Sequence, residues 1–208
     1  MSAGAPDPAA TPEPRHRGRQ RSLEAQSAIL NATCQLLEKK CLRDVTTEAI
    51  AQLSGVSKAT IYKWWPSKAL VALDAFLILM TRDVPTPDTG SAYTDFTEQL
   101  KSLVSFYTSH AGRVFCQFIA EGQSDPAFLA LFRERFVQSR RDEVKVMWQR
   151  GVARGEIRAE VDREVALDLF YGAAIFRLLV GHGPLDDRVA QAIVSAVFSG
   201  VKTRTLPG

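Results

Sequence analysis

The stretch Val45–Lys68, VTTEAIAQLSGVSKATIYKWWPSK, limits the fold of this chain more than any other. A hydroxyl at Thr46 can accept a backbone N–H from the turn that follows, which marks a helix start. Ala49, Ile50 and Leu53 then recur at helical spacing and predict one apolar face. Ser54-Gly55-Val56 supplies a turn, because glycine adopts positive φ without steric cost. Ser57 is a second cap, and Ile61 and Trp65, four residues apart, predict the inward side of the helix it opens. Lys58, Thr60, Tyr62 and Lys63 are left outside. Pro66 ends that helix, and Ser67 can cap another that begins with Lys68. Two short helices about a glycine turn, the second polar and basic on its outer side, form a helix-turn-helix.

Its landmarks are Thr46-Thr47, Ile50-Ala51, Gly55-Val56-Ser57, Thr60-Ile61-Tyr62, and Ser67-Lys68 before Leu70. Through them the segment 22–82 resembles the DNA-binding domain of the tetracycline-repressor (TetR) family of bacterial regulators. The resemblance implies an all-α fold of about nine helices. An N-terminal helix-turn-helix domain over 22–82 would precede a helical ligand-binding and dimerisation domain over 92–202. It also implies roles: Thr46, Thr47, Tyr62 and Lys68 on DNA phosphates, and Lys58, Ala59, Thr60 and Lys63 toward base edges, with Ser57 beside them. Trp64-Trp65 departs from the family, which usually has a smaller residue and then Phe. Trp65 can fill the core in place of Phe, whereas Trp64 is left to meet DNA or the next helix. Beyond residue 82 the likeness is one of architecture only.

Charge agrees with that placement. The 208-residue chain has a formal charge of +3, but residues 15–68 hold ten Lys or Arg against four Asp or Glu. The rest carries almost none of the excess, as expected if the N-terminal end meets phosphates. Residues 1–21 are read as a disordered tail whose basic part, Arg15, His16, Arg17, Arg19 and Arg21, is either solvated or an arm along the minor groove. Cys34, Cys41 and Cys116 suggest no disulfide framework, and are either small buried residues or redox-sensing thiols. His16, His110 and His182 are scattered and no metal-ligand spacing occurs, so neither metal nor cofactor is expected. The N-terminus lacks the apolar core of a secretion signal, and Val165–Val180 contains Asp168 and Arg177 and is too short to span a bilayer. The expectation is a soluble cytoplasmic protein, nucleoid-associated when bound to DNA.

Along the chain, Ala25, Ala28, Ile29, Ala32, Leu36 and Leu37 predict an amphipathic helix from Ser22 or Leu23 to about Lys40. A helix from Ser67 to about Thr81 follows the helix-turn-helix, and Asp83–Ser91, with two prolines and a glycine, is the boundary. Five helices are expected after it: 93–109, 112–123, a long one from Asp125-Pro126 to Arg154, 162–180 and 187–198. In the long helix, Arg133, Arg135, Arg140, Arg141 and Lys145 alternate with acids and read as a solvated face. The helix 162–180 is apolar nearly all round, and Gly172, Ala173 and Ala174 allow close approach. Two copies of 162–180 and 187–198 are expected to form a homodimer interface.

No nucleophile elbow, phosphate-cradling glycine loop or metalloprotease helix is present, so an enzyme is not expected. The C-terminal aromatics, Tyr107 among them, exceed what a compact core needs, although core packing accounts for most of them taken singly. They are read as a pocket for an apolar or aromatic effector that includes Phe106, Phe115, Phe118, Trp148, Phe170, Tyr171 and Arg177, with Cys116 and Gln117 as further polar candidates. Two functions remain open. One is a TetR-type regulator, a repressor released from a near-palindromic double-stranded operator by a small molecule. The other is a constitutive DNA-binding or protein-interaction module with the same fold and no effector.

Overall fold

Helices account for all the regular structure in residues 15–201, the part of the chain that the computed structural model describes. The first, α1 (Arg15–Leu37), begins seven residues before the expected start at Ser22. The stretch 15–21, expected to belong to a disordered arm, is therefore helical backbone, and the tail 1–14 lies outside the described residues. Ile29, Ala32, Thr33 and Leu37 of α1 are buried, and Thr33 Oγ1 donates to the Ile29 carbonyl at 2.7 Å, so this hydroxyl is satisfied without a partner from outside the helix. A turn of 3-10 helix, Leu42–Asp44, leads to α2 (Thr47–Ser54), α3 (Lys58–Trp64) and α4 (Lys68–Asp83).

Three caps set these starts. The Thr46, Ser57 and Ser67 side chains accept from the backbone N–H groups of Ala49, Thr60 and Leu70 at 3.1–3.3 Å. Gly55 ends α2 in the left-handed region, at φ 70°, where no Cβ is tolerated cheaply. The α3 and α4 axes then meet at 73° across Pro66.

The C-terminal part holds α5 (Ala92–Thr108), α6 (His110–Ser124) and a long helix in three pieces. These are α7 (Pro126–Phe132), a π-helical segment Arg133–Gln138, and α8 (Ser139–Ala153). Asp125 caps α7 through the N–H groups of Ala127 and Phe128, with Pro126 in the first turn, as its sequence predicts. Last come α9 (Arg163–Val180), capped by Asp162, and α10 (Asp187–Val201). Counting the three-piece helix once gives nine helices among the described residues, the expected number, with no strand. The α5–α6 corner depends on Gly112, since a Cβ there would lie 1.9 Å from the Phe106 carbonyl oxygen.

Helix α4 joins the two parts, lying against α1 on one side and α5, α6 and the π-helical segment on the other. Its Phe76, wholly buried, has the rings of Phe106, Phe118 and Phe136 at 5.4–5.5 Å and Phe115 at 6.3 Å. A second aromatic cluster lies farther along: Phe96 stacks on Phe170 at 4.5 Å and meets Trp148 and Phe198 edge-on. Between α4 and α5 the chain is fixed by Asp95, which has no exposed surface and accepts from Thr89 and Arg154. Burying a carboxylate this fully requires such partners. No single helix among the described residues is long and apolar enough to cross a membrane.

Candidate functional site

The outer face of the helix-turn-helix follows from its inner one. Ile50, Ile61 and Trp65 are buried, which turns Lys58, Ala59, Tyr62 and Lys63 to the surface. Leu53, expected to face inward, is exposed instead: α2 is only eight residues long, and its buried side is made by Thr47 and Ile50. Lys58 Nζ pairs with Glu48 at 2.8 Å, which bridges the two helices on their exposed side. Thr47 is buried and its hydroxyl lies 3.2 Å from the Tyr62 hydroxyl, so the two helices are also tied where both approach the surface. Thr46 is exposed, and Lys68 Nζ donates to the Arg43 carbonyl at 3.1 Å. Trp64 is 38% exposed, and Lys63 Nζ lies 5.6 Å from the centre of its ring. Trp65 donates from Nε1 to Asp74 at 2.7 Å, and Asp74 also takes Arg135 of the π-helical segment at 3.2 Å. One carboxylate thereby links the end of α3 to the C-terminal part.

A cavity of about 120 Å³, partly open, lies among α4, α5, α6, the long helix and α9. Its wall is mostly apolar, with Met80, Leu103, Phe115, Phe136, Val144 and Ile175 in it. The polar part comes from Gln99, Tyr107, Tyr171, Arg140 and Arg141. Tyr171 donates to Gln99 Oε1 at 3.0 Å. Arg140 is buried; it pairs with Glu143 and donates to the Val84 carbonyl, just past the end of α4, at 2.9 Å. Arg141 is held by Glu164 at 2.7 Å and Asp168 at 2.6 Å. Burial raises the pKa of both phenols, Tyr107 and Tyr171, well above the ordinary tyrosine range, so both stay neutral. Among the described residues no group of His, Cys, Asp and Glu could hold a metal ion.

Comparison with known proteins gives this arrangement its context. The sequence profile described as "Bacterial regulatory proteins, tetR family" matches residues 29–74, and that described as "Tetracyclin repressor-like, C-terminal domain" matches 86–197. The HTH-type transcriptional regulator YdeS of Bacillus subtilis is 40% identical over 186 residues, covering 89% of this chain and 94% of its own. The chain belongs to the TetR family of transcriptional regulators. The crystal structure of the TetR family regulator SCO0332 superposes with a TM-score of 0.81 at 33% identity, over 86% of this chain and 98% of that one. The DNA-binding transcriptional repressor TetR of Mycobacteroides abscessus is 28% identical over 185 residues, 88% of this chain and 94% of its own. TetR family members bind DNA operators and work as dimers, typically as repressors, and they are regulators rather than enzymes.

Of the residues expected around an effector, Phe115 and Tyr171 line the cavity. Phe106 and Phe118 surround Phe76 instead, while Trp148 and Phe170 belong to the cluster around Phe96. The aromatic surplus is thus mostly packing between helices, in rings that hold one another at 4.5–6.4 Å. Arg177 is not in the wall: its Nη1 donates to the Pro184 carbonyl at 3.0 Å and closes the turn between α9 and α10. Gln117 accepts from the Leu42 N–H at 2.7 Å, a second tie between the two parts, and Cys116 is half-buried outside the cavity wall. Tyr107, one of the C-terminal aromatics read together as a pocket, is in the wall, while Gln99, Arg140 and Arg141 are cavity residues that the sequence reading missed.

One further surface stands out in the isolated chain. Val165, Leu169, Phe176, Leu179 and Val180 of α9 are each about half exposed or more. Gly172 lies among them with open space where a Cβ would be, and Ala192, Ser195 and Ala196 of α10 are exposed as well.

Proposed function

We propose that this TetR family regulator is a repressor that leaves a near-palindromic operator when a small, largely apolar effector enters the cavity. The observation that carries the reading is the position of α4. It opens at Lys68, immediately after the DNA-reading segment, and contributes Met80 to the cavity wall. The division into a DNA-binding unit over 22–82 and a ligand-binding and dimerisation unit over 92–202 belongs to the same reading. So do the roles of Thr46, Tyr62 and Lys68 on phosphates and of Lys58, Ala59, Thr60 and Lys63 at base edges. Ser57 contributes by fixing the start of the reading helix, and Thr47 acts through the Tyr62 hydroxyl that it holds. The apolar seam of α9, with α10, joins two copies across a two-fold axis, and two-fold pairing is what makes a palindrome the matching operator. The protein acts in the cytoplasm, on the nucleoid.

An effector shifts DNA affinity only by the difference in its own affinity for the two spacings of the reading helices. A hundredfold loss of DNA affinity requires about 2.7 kcal/mol of coupling, and DNA must weaken the effector by the same factor. The test is to select operator DNA from a random pool and follow its release by fluorescence anisotropy against a library of small molecules. A compound that releases DNA, and whose affinity falls by an equal factor when operator is present, supports the reading. Operator binding that no cavity-filling molecule alters overturns it.

A further inference from the structure

We propose that the cavity takes an uncharged molecule about one ring in size bearing an oxygen that accepts hydrogen bonds, with Gln99 and Tyr107 as its polar contacts. The proposal rests on reading the cavity as the effector site, and adds to it the chemical class of the effector. Size is the first constraint. The volume is about 120 Å³, below the roughly 150 Å³ of an apolar cavity that holds benzene, and the cavity is partly open, so one ring is the most it can enclose.

Polarity is the second. Gln99 is 2% exposed and Tyr107 3%, and both line the cavity. The Gln99 carbonyl oxygen is engaged by Tyr171, and its amide nitrogen makes no hydrogen bond among the described residues. The Tyr107 hydroxyl likewise has no partner among the described residues, whereas the Tyr171 hydroxyl is engaged. Neither the Gln99 nitrogen nor the Tyr107 hydroxyl is sealed from a water-sized molecule, so both are open to a molecule in the cavity, and polar groups inside a protein are seldom left without a partner. An amide N–H₂ can only donate, so what completes Gln99 is an acceptor, and the phenol of Tyr107 can donate to the same kind of oxygen.

Charge is the third. Both arginines in the wall are occupied, Arg140 by Glu143 and the Val84 carbonyl, Arg141 by Glu164 and Asp168. An anionic ligand would give up its hydration to enter an apolar space without a free cation to receive it. A cationic one fares no better, since Glu143, Glu164 and Asp168 are all paired with those arginines and the two phenols remain protonated.

Three probes of one shape separate these requirements: acetophenone carries the acceptor, ethylbenzene lacks it, and benzoate carries a charge. Titration calorimetry on the full chain without DNA should show acetophenone binding most tightly and benzoate at least tenfold more weakly. Gln99→Leu and Tyr107→Phe should each weaken acetophenone by about 2- to 10-fold, the range of one neutral hydrogen bond, and leave ethylbenzene unchanged. The ranking of the probes on the unaltered protein decides the question even if a variant does not fold. Benzoate binding as tightly as acetophenone, acetophenone indifferent to both substitutions, or no probe binding, as in a cavity holding water alone, overturns the proposal. The same probes are then tried on the operator complex. Acetophenone that binds as described but leaves DNA affinity unchanged sinks the effector reading and keeps the ligand class. A charged compound that releases DNA sinks the class and keeps the effector reading.

Discussion

Replacing Phe176 by Glu tests where this protein pairs with itself. Phe176 is 58% exposed in the single chain, midway along the apolar seam of α9. Full burial of a Phe side chain is worth about 1.5–3 kcal/mol, so covering the exposed share contributes about 1–1.7 kcal/mol per copy. A two-fold interface contains two copies, which brings the loss to about 2–3.5 kcal/mol. Each introduced carboxylate would also be desolvated without a partner, adding about 1–3 kcal/mol. The dimer should therefore weaken by at least about 4 kcal/mol, roughly a thousandfold in its dissociation constant. Sedimentation velocity over a concentration series reads this directly, with circular dichroism to verify that the helices remain. Ile78→Glu is the control, since Ile78 is 44% exposed but lies on α4, away from the seam. If Phe176→Glu dimerises like the unaltered protein, or Ile78→Glu dissociates as much, the seam is not the interface.

Three other outcomes are expected. Lys63→Ala should cost about 1–3 kcal/mol of operator binding and relax sequence preference, whereas Lys68→Ala should weaken all DNA alike and flatten the salt dependence; anisotropy on selected and random duplexes distinguishes them. Glu164 is held below the usual carboxylate range, first by its hydrogen bond from Arg141 and then by that from Arg163. Its contribution is present above the ordinary carboxylate pKa and is lost as pH falls through the depressed value, so melting curves between pH 7 and 3 should show a small acid-induced loss that Arg141→Met reduces. Burial, and next the charge of Glu38, push the Cys34 thiol up to about 11, so native protein at pH 8 should leave Cys34 unalkylated by iodoacetamide while urea makes it reactive, as read by peptide mass analysis.

Local chemistry was the legible part of this chain. Thr46, Ser57, Ser67 and Asp125 cap helices because a short side-chain oxygen at a helix start reaches orphan N–H groups, whatever the rest of the chain does. Gly55, Gly155 and Gly181 end helices at positive φ for an equally local reason. Tertiary choices were less visible. A composition rich in Phe does not say whether rings face each other or a space, and here Phe76 on α4 gathers four of them. The early start of α1 runs through Arg15–Arg21, a stretch without one apolar residue, so no periodicity announced it.

Arg140 was concealed by a change of phase. Projected as one α-helix, the stretch 125–154 turns Arg140 outward with its charged neighbours, because each residue advances about 100°. The π-helical segment absorbs one residue, and Arg140 arrives at the cavity in place of the residue before it. A trace of this was available in the sequence. Phe128, Phe132, Phe136, Arg140, Val144 and Trp148 are all buried at a strict interval of four, which a plain α-helix would drift away from by about 40° per step.

The same segment governs how this chain is to be compared with others of its lineage. Over Arg133–Gln138 the chain absorbs one residue more than an uninterrupted α-helix would, the same effect a single-residue insertion would have on the facing of α7 and α8. A relative one residue shorter here would keep the same wall with an uninterrupted helix, and its gap would belong within 133–138. Aligned without the gap, every position of α8 would be matched to a neighbour about 100° away, and the counterpart of Arg140 would be mistaken for a solvent residue.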